Sequence, residues 1–161
     1  MRKLFIVALS VVAVAALGVA QESKTSTHIV LPAAQVKWGQ APPSVPKGVQ
    51  LAVVSGNPGQ AGPFVIRLKI PAGQKIAPHW HPTDEHVTVI SGTVAFGMGE
   101  KFDAAALKSL SAGGYALMPA EMRHFAMAKT PVTLQVHGVG PFVLNYVKPA
   151  DDPIKVNAAS K

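Results

Sequence analysis

The chain of 161 residues contains no cysteine. No disulfide can staple it and no acylated lipoprotein cysteine can follow its leader, so burial or a bound metal has to hold it together. It also lacks any run of basic residues and any interleaving of basic with aromatic side chains. The footprint of a nucleic-acid binder is therefore missing, although the formal charge is +7. No apolar run reaches the ~20 residues of a membrane-spanning helix. The longest, residues 4–19, is broken only by Ser10 and Gly18, follows the basic start Met1-Arg2-Lys3, and ends in "GVA" before Gln21. That pattern reads as a secretory signal peptide, residues 1–20, cleaved after Ala20. A periplasmic or secreted location follows as an expectation, with no membrane contact after cleavage.

Cleavage leaves 141 of the 161 residues, enough for one domain with a substantial core and too few for two. Removing Arg2 and Lys3 from the 15 basic residues leaves 13 against 8 acidic ones, a charge of +5 spread over scattered lysines. Such a surface attracts anionic small molecules weakly.

Residues 21–49 are rich in Pro, Gly, Ser and Gln and include "APPSVP", the composition of an extended arm. Over residues 50–148 the texture changes. "FVIRLKI", "HVTVISGTVAFGMG", "HFAMA" and "PVTLQVHGVG" are short β-branched and apolar runs punctuated by Gly and Pro. This rhythm predicts an all-β barrel or sandwich. Only residues 103–110, "DAAALKSL", look helical, with Asp103 as N-cap. Residues 149–161 form a polar, loose tail, and no internal repeat is present.

The stretch "GQKIAPHWHPTDEHVTVISG", residues 73–92, reads as a β-hairpin that carries three of the six histidines. His79 and His81 are two apart, so both imidazoles leave one face of a strand. Pro82-Thr83-Asp84 supplies a turn, and Glu85 then shares an inward face with Val87 and Val89, which leaves His86 outward. Two imidazoles and a carboxylate converging in a barrel are costly to bury without a divalent metal between them. His124, at the start of another short apolar strand, is placed to close the site.

Here the chain resembles the cupin superfamily. Gly73, His79, His81, Glu85 and Gly92 meet every fixed position of the first cupin motif. Gly113, Pro119 and His124 have the spacing of the second, although Glu121 stands where Gly is usual and Ala128 where Asn is usual. The resemblance implies a small jelly-roll β-barrel holding one divalent transition metal (Fe, Mn, Zn, Ni or Cu) through His79, His81, Glu85 and His124. It also implies a homodimer. His137 is a candidate catalytic acid or base at the barrel mouth, and His86, Arg67, Tyr115 and Gln135 are candidate pocket residues. His28 reads as structural or exposed.

A divalent ion less the charge of Glu85 leaves +1, which favours an anionic oxygen ligand. The expected function is that of a metal-dependent enzyme, dioxygenase-like, acting on a small oxygenated organic molecule. A metal-dependent isomerase or lyase is one alternative. A non-catalytic cupin that binds a small ligand or senses a metal or oxidant is the other.

Overall fold

A computed structural model describes residues 28–159, and the compact unit that carries the architecture begins at Leu31. The expected signal peptide lies outside the described residues. In chain order the strands are β1 (Gly39–Gln40), β2 (Gln50–Ser55), β3 (Gly62–Ile70), β4 (Lys75–Trp80), β5 (Glu85–Ser91), β6 (Thr93–Met98), β7 (Lys108–Ser111), β8 (Tyr115–Met118), β9 (His124–Ala128), β10 (Val132–Gly140) and β11 (Asn145–Tyr146). They form two antiparallel sheets, ordered β1-β2-β3-β10-β5-β8 and β11-β4-β9-β6-β7. This is the all-β jelly-roll architecture that the sequence predicts.

Period-two alternation decides which side of each strand faces the other sheet. Along β10, Val132, Leu134 and Val136 are buried, while Thr133, Gln135 and His137 are half-buried on the opposite face. Their partners on β3 obey the same division: Leu134 is opposite Leu68 and Val136 opposite Ile66, while Gln135 is opposite Arg67. The core between the sheets includes Phe64, Ile66, Val87, Val89, Val94, Met118 and Val136. Full burial of each large member contributes about 1.5–3 kcal/mol.

Two glycines of the first motif have backbone reasons to be glycine. Gly73 and Gly92 both adopt φ of +77°, and a Cβ on Gly92 would collide with the carbonyl oxygen of Pro131. Gly92 therefore permits the tight passage from β5 to β6 where the chain crosses to the other sheet.

Three sequence expectations are corrected. The predicted hairpin over residues 73–92 does not pair with itself, since β4 lies in one sheet and β5 in the other. Its turn crosses the sandwich, so the histidines and Glu85 face one another from opposite walls. Residues 103–110 are not helical: Asp103 Oδ1 accepts from the Ala105 amide at 2.9 Å to make a turn, and Lys108 onward pairs with β6. Edge pairing satisfies that backbone better than a helix too short to sustain itself.

The helix is instead in the expected loose tail, as α1 (Pro153–Ala159). Asp152 Oδ1 accepts from the Ile154 amide at 3.0 Å and Pro153 occupies the first helical position, a capped start.

The Pro-rich arm is only partly extended strand. Gly39 and Gln40 add β1 to the edge of β2, Val36 is buried, and Lys69 Nζ sits 4.1 Å from the centroid of the Trp38 ring. Pro42 to Val45 then pass over one end of the space between the sheets. Tyr146 Oη holds that passage by donating to the Ser44 carbonyl at 2.9 Å.

Candidate metal centre

His79 and His124 face each other across the β4–β9 ladder, with ring centroids 4.3 Å apart. His81 follows directly after β4, and Glu85 opens β5 on the other wall. All four are buried, with 2–8% of their surface exposed. The candidate ligand nitrogens of the three histidines lie within 4.8 Å of one another. Glu85 Oε2 stands 3.3 Å from His124 Nε2 and 3.5 Å from His81 Nε2.

The second nitrogen of each ring fixes how the first can act. Nδ1 of His79 lies 2.7 Å from the Ala77 carbonyl, Nδ1 of His81 lies 2.7 Å from the Val143 carbonyl, and Nδ1 of His124 lies 3.0 Å from the Met122 carbonyl. A carbonyl oxygen only accepts, so each Nδ1 carries a proton and donates it. In the neutral ring Nε2 is then left as a lone pair. Backbone orientation of this kind is how proteins aim metal-ligating histidines.

Burial makes protonation of His79 costly. His79 is pushed down to about 3, by burial first and then by the charges of His124 and His81, with Glu85 and the Ala77 carbonyl opposing. Burial would raise the Glu85 carboxyl, but the His124 and His81 imidazoles beside it overcome that effect. That holds the carboxyl well below the usual carboxylate range. His81 Nε2 is buried with no hydrogen-bond partner. An ionised carboxylate among inward lone pairs and an orphaned nitrogen match the donor set of a divalent transition ion.

The turn before His124 is clamped to the other ligand strand. Glu121 donates its amide to the His81 carbonyl at 2.8 Å and adopts φ of +63°, the left-handed conformation that explains why Gly is usual there. Asp84 Oδ1 accepts from the Ala120 amide at 2.8 Å. Trp80, between the two ligand histidines, turns outward beneath the Arg123 guanidinium.

The other candidate residues belong elsewhere. His137 does not line the barrel mouth: it follows Val136, whose side chain faces the interior, so alternation sends the imidazole to the outer face of the sheet. There it stacks on His86, with centroids 4.7 Å apart and planes 10° from parallel. His86 Nδ1 lies 2.7 Å from the Tyr115 hydroxyl, and Arg67 Nε donates to Gln135 Oε1 at 3.1 Å on the same face. None of His86, Arg67, Tyr115 or Gln135 borders the interior cavity. His28 is exposed.

That cavity, of about 250 Å³, lies between the sheets and ends at His79, His81, Glu85 and His124. Sequence reasoning missed Phe142, whose ring stacks on His81 at 4.4 Å, and the Val143 carbonyl that orients the same imidazole. Neither sits in a periodic segment, so no local signal marks them.

Several solved structures share the fold. The polyketide cyclase RemF from Streptomyces resistomycificus aligns with a TM-score of 0.64 at 14% identity, over 82% of this chain and 94% of that one. A conserved protein with a double-stranded β-helix domain from Klebsiella pneumoniae aligns at 0.53 and 23% identity, over 80% and 98%. An RmlC-like cupin from Shewanella frigidimarina aligns at 0.55 and 17% identity, over 71% and 91%. At these identities the likeness is one of fold. No curated protein matches in sequence. The family described as the ChrR Cupin-like domain matches residues 26–142, well over half of the sequence, and the chain belongs to it.

Proposed function

We propose that this protein is an exported metal-dependent cupin in which His79, His81, Glu85 and His124 hold one divalent transition ion, and that it acts in a dioxygenase-like way on a small oxygenated organic molecule. The observation that carries the reading is the set of three buried imidazoles, each with Nδ1 bound to a backbone carbonyl, of which His81 and His124 turn Nε2 toward one carboxylate. The leader sequence supports a periplasmic setting.

A divalent ion supplies Lewis-acid or redox activation of an oxygen donor. The chain's part is to aim the ligands and to exclude water with the apolar walls behind them. Among the described residues, no titratable side chain besides the four proposed ligands lines the cavity. Isomerisation, decarboxylation and hydrolysis therefore lack a second residue to carry a proton, whereas oxygen insertion makes less demand for one.

The same absence favours a second reading, capture or sensing of a small ligand without turnover. Oxygen uptake by the iron-loaded protein over a panel of small oxygenated compounds separates the two. Substrate-dependent consumption, abolished by His79→Ala, is the expected result. Ligand binding with no consumption for any compound would replace the enzyme reading with the binding one.

A further inference from the structure

We infer that the cavity selects a ligand with an uncharged, apolar body and a single oxygen-bearing head, and that it rejects molecules carrying a second charged group. Placing the head at the imidazole end rests on the metal reading above. Selection by the apolar walls does not depend on it.

The walls come from both sheets: Ile66, Leu68 and Val136 from one, Phe96 and Ala126 from the other. Val45 of the arm also borders the space. Among the described residues, no Lys, Arg or Asp borders the cavity, and its one carboxylate is Glu85. Apart from the four candidate ligands, the polar side chain among the described lining residues is Ser44.

Arg67, flanked in the sequence by two wall residues, illustrates how the selection arises. It lies between Ile66 and Leu68 on β3, and alternation turns its guanidinium to the outer face, where it bonds Gln135. A carboxylate on the body of a ligand would thus enter the cavity without a cation to meet it. Burying an unpaired carboxylate costs several kcal/mol even after local relaxation, and about 1.4 kcal/mol corresponds to tenfold in affinity.

Size restricts the ligand further. An apolar cavity of roughly 150 Å³ holds benzene, so about 250 Å³ takes one ring, or a branched chain of similar bulk, together with a compact head. The net +1 expected of a divalent ion with Glu85 matches a monoanionic oxygen chelate. The preferred class is therefore a small aryl or alkyl compound whose only ionisable group is an oxygen-donor head.

The test uses the full chain in zinc-loaded form, which supports no redox turnover, and in metal-free form. Benzohydroxamate supplies a ring with a monoanionic oxygen head, and 4-carboxybenzohydroxamate adds one charge at the far end. Isothermal titration of the zinc form is expected to show the carboxylated probe about a hundredfold weaker or worse. Val45→Lys, on the arm rather than in a sheet, should narrow that gap at least tenfold while zinc content stays unchanged. The neutral probe p-xylene, which has no head, should raise the melting temperature of wild-type protein with or without metal.

Equal affinity for the two hydroxamates in the zinc form, or no response to p-xylene in either form, would overturn the inference. Protein that takes up no zinc but is stabilised by p-xylene would preserve the apolar selection and remove the metal reading instead. The two ideas therefore fail separately.

Discussion

Glu85 Oε2 stands 3.3 Å from Nε2 of His124, although the two residues belong to sheets that share no strand. One acceptor reaches across the sandwich to imidazoles whose other nitrogens are already committed to the backbone. Glu85→Gln keeps the shape and removes the charge. Because loss of an outer hydrogen-bond partner of a metal site already weakens binding about 10–100-fold, this change should weaken zinc binding at least that much. Competition with a chromogenic chelator measures it, and an unchanged affinity would remove Glu85 from the ligand set.

The metal-free protein should lose stability as the pH falls below about 6.5. In the unfolded chain His79 takes its proton near 6.5, but in the folded protein only near 3, because burial opposes the charge. Between those values the unfolded state binds more protons, so acidification favours unfolding. Glu85, also depressed, adds its contribution above its unfolded value of 4.5 and loses it as the pH falls further. Urea midpoints at pH 7, 6, 5 and 4 should decline steadily, and His79→Gln should flatten the upper part of the decline.

The ligand set was legible because it is local: a two-residue spacing puts His79 and His81 on one face, and parity sends Glu85 inward. Which wall each residue belongs to was not legible, since a turn between two strands looks alike whether they pair or cross to opposite sheets. The direction of His137 has no reference point in the sequence. Once Val136 is known to face inward, its neighbour has to face outward. Helix α1 carried a readable signal in Asp152-Pro153, overlooked beside a run of alanines at residues 104–106 whose propensity was overruled by edge pairing of β7. Phe142 and the Val143 carbonyl reach His81 through a loop, and no periodicity predicts that.

Glu121 pays a conformational cost at φ of +63°. Glycine adopts that backbone freely, so Glu121→Gly should stabilise the protein by about 0.5–1 kcal/mol after the entropy of the unfolded chain is counted. A higher denaturant midpoint with unchanged slope checks this. A drop would mean that the exposed Glu121 side chain contributes more than its backbone costs.

Gly97 of β6 lies opposite Phe125 of β9, which is fully buried. A Cβ at residue 97 would overlap the Phe125 ring, whose centroid is 5.0 Å from that of Phe102. Gly97→Ala should therefore cost about 1–3 kcal/mol through overpacking. The double variant with Phe125→Leu should recover part of that loss, and additive losses in the cycle would show that the ring is not what the methyl meets.

Metal content of the protein purified without an affinity tag tests the central claim most directly, with the His79→Ala, His81→Ala double variant measured beside it. The account predicts about one equivalent of a single divalent transition metal in the wild type and its loss in the variant, consistent with four converging ligands. Wild-type protein that is folded and metal-free, and that also fails to take up added zinc, iron, manganese, nickel or copper, would contradict it.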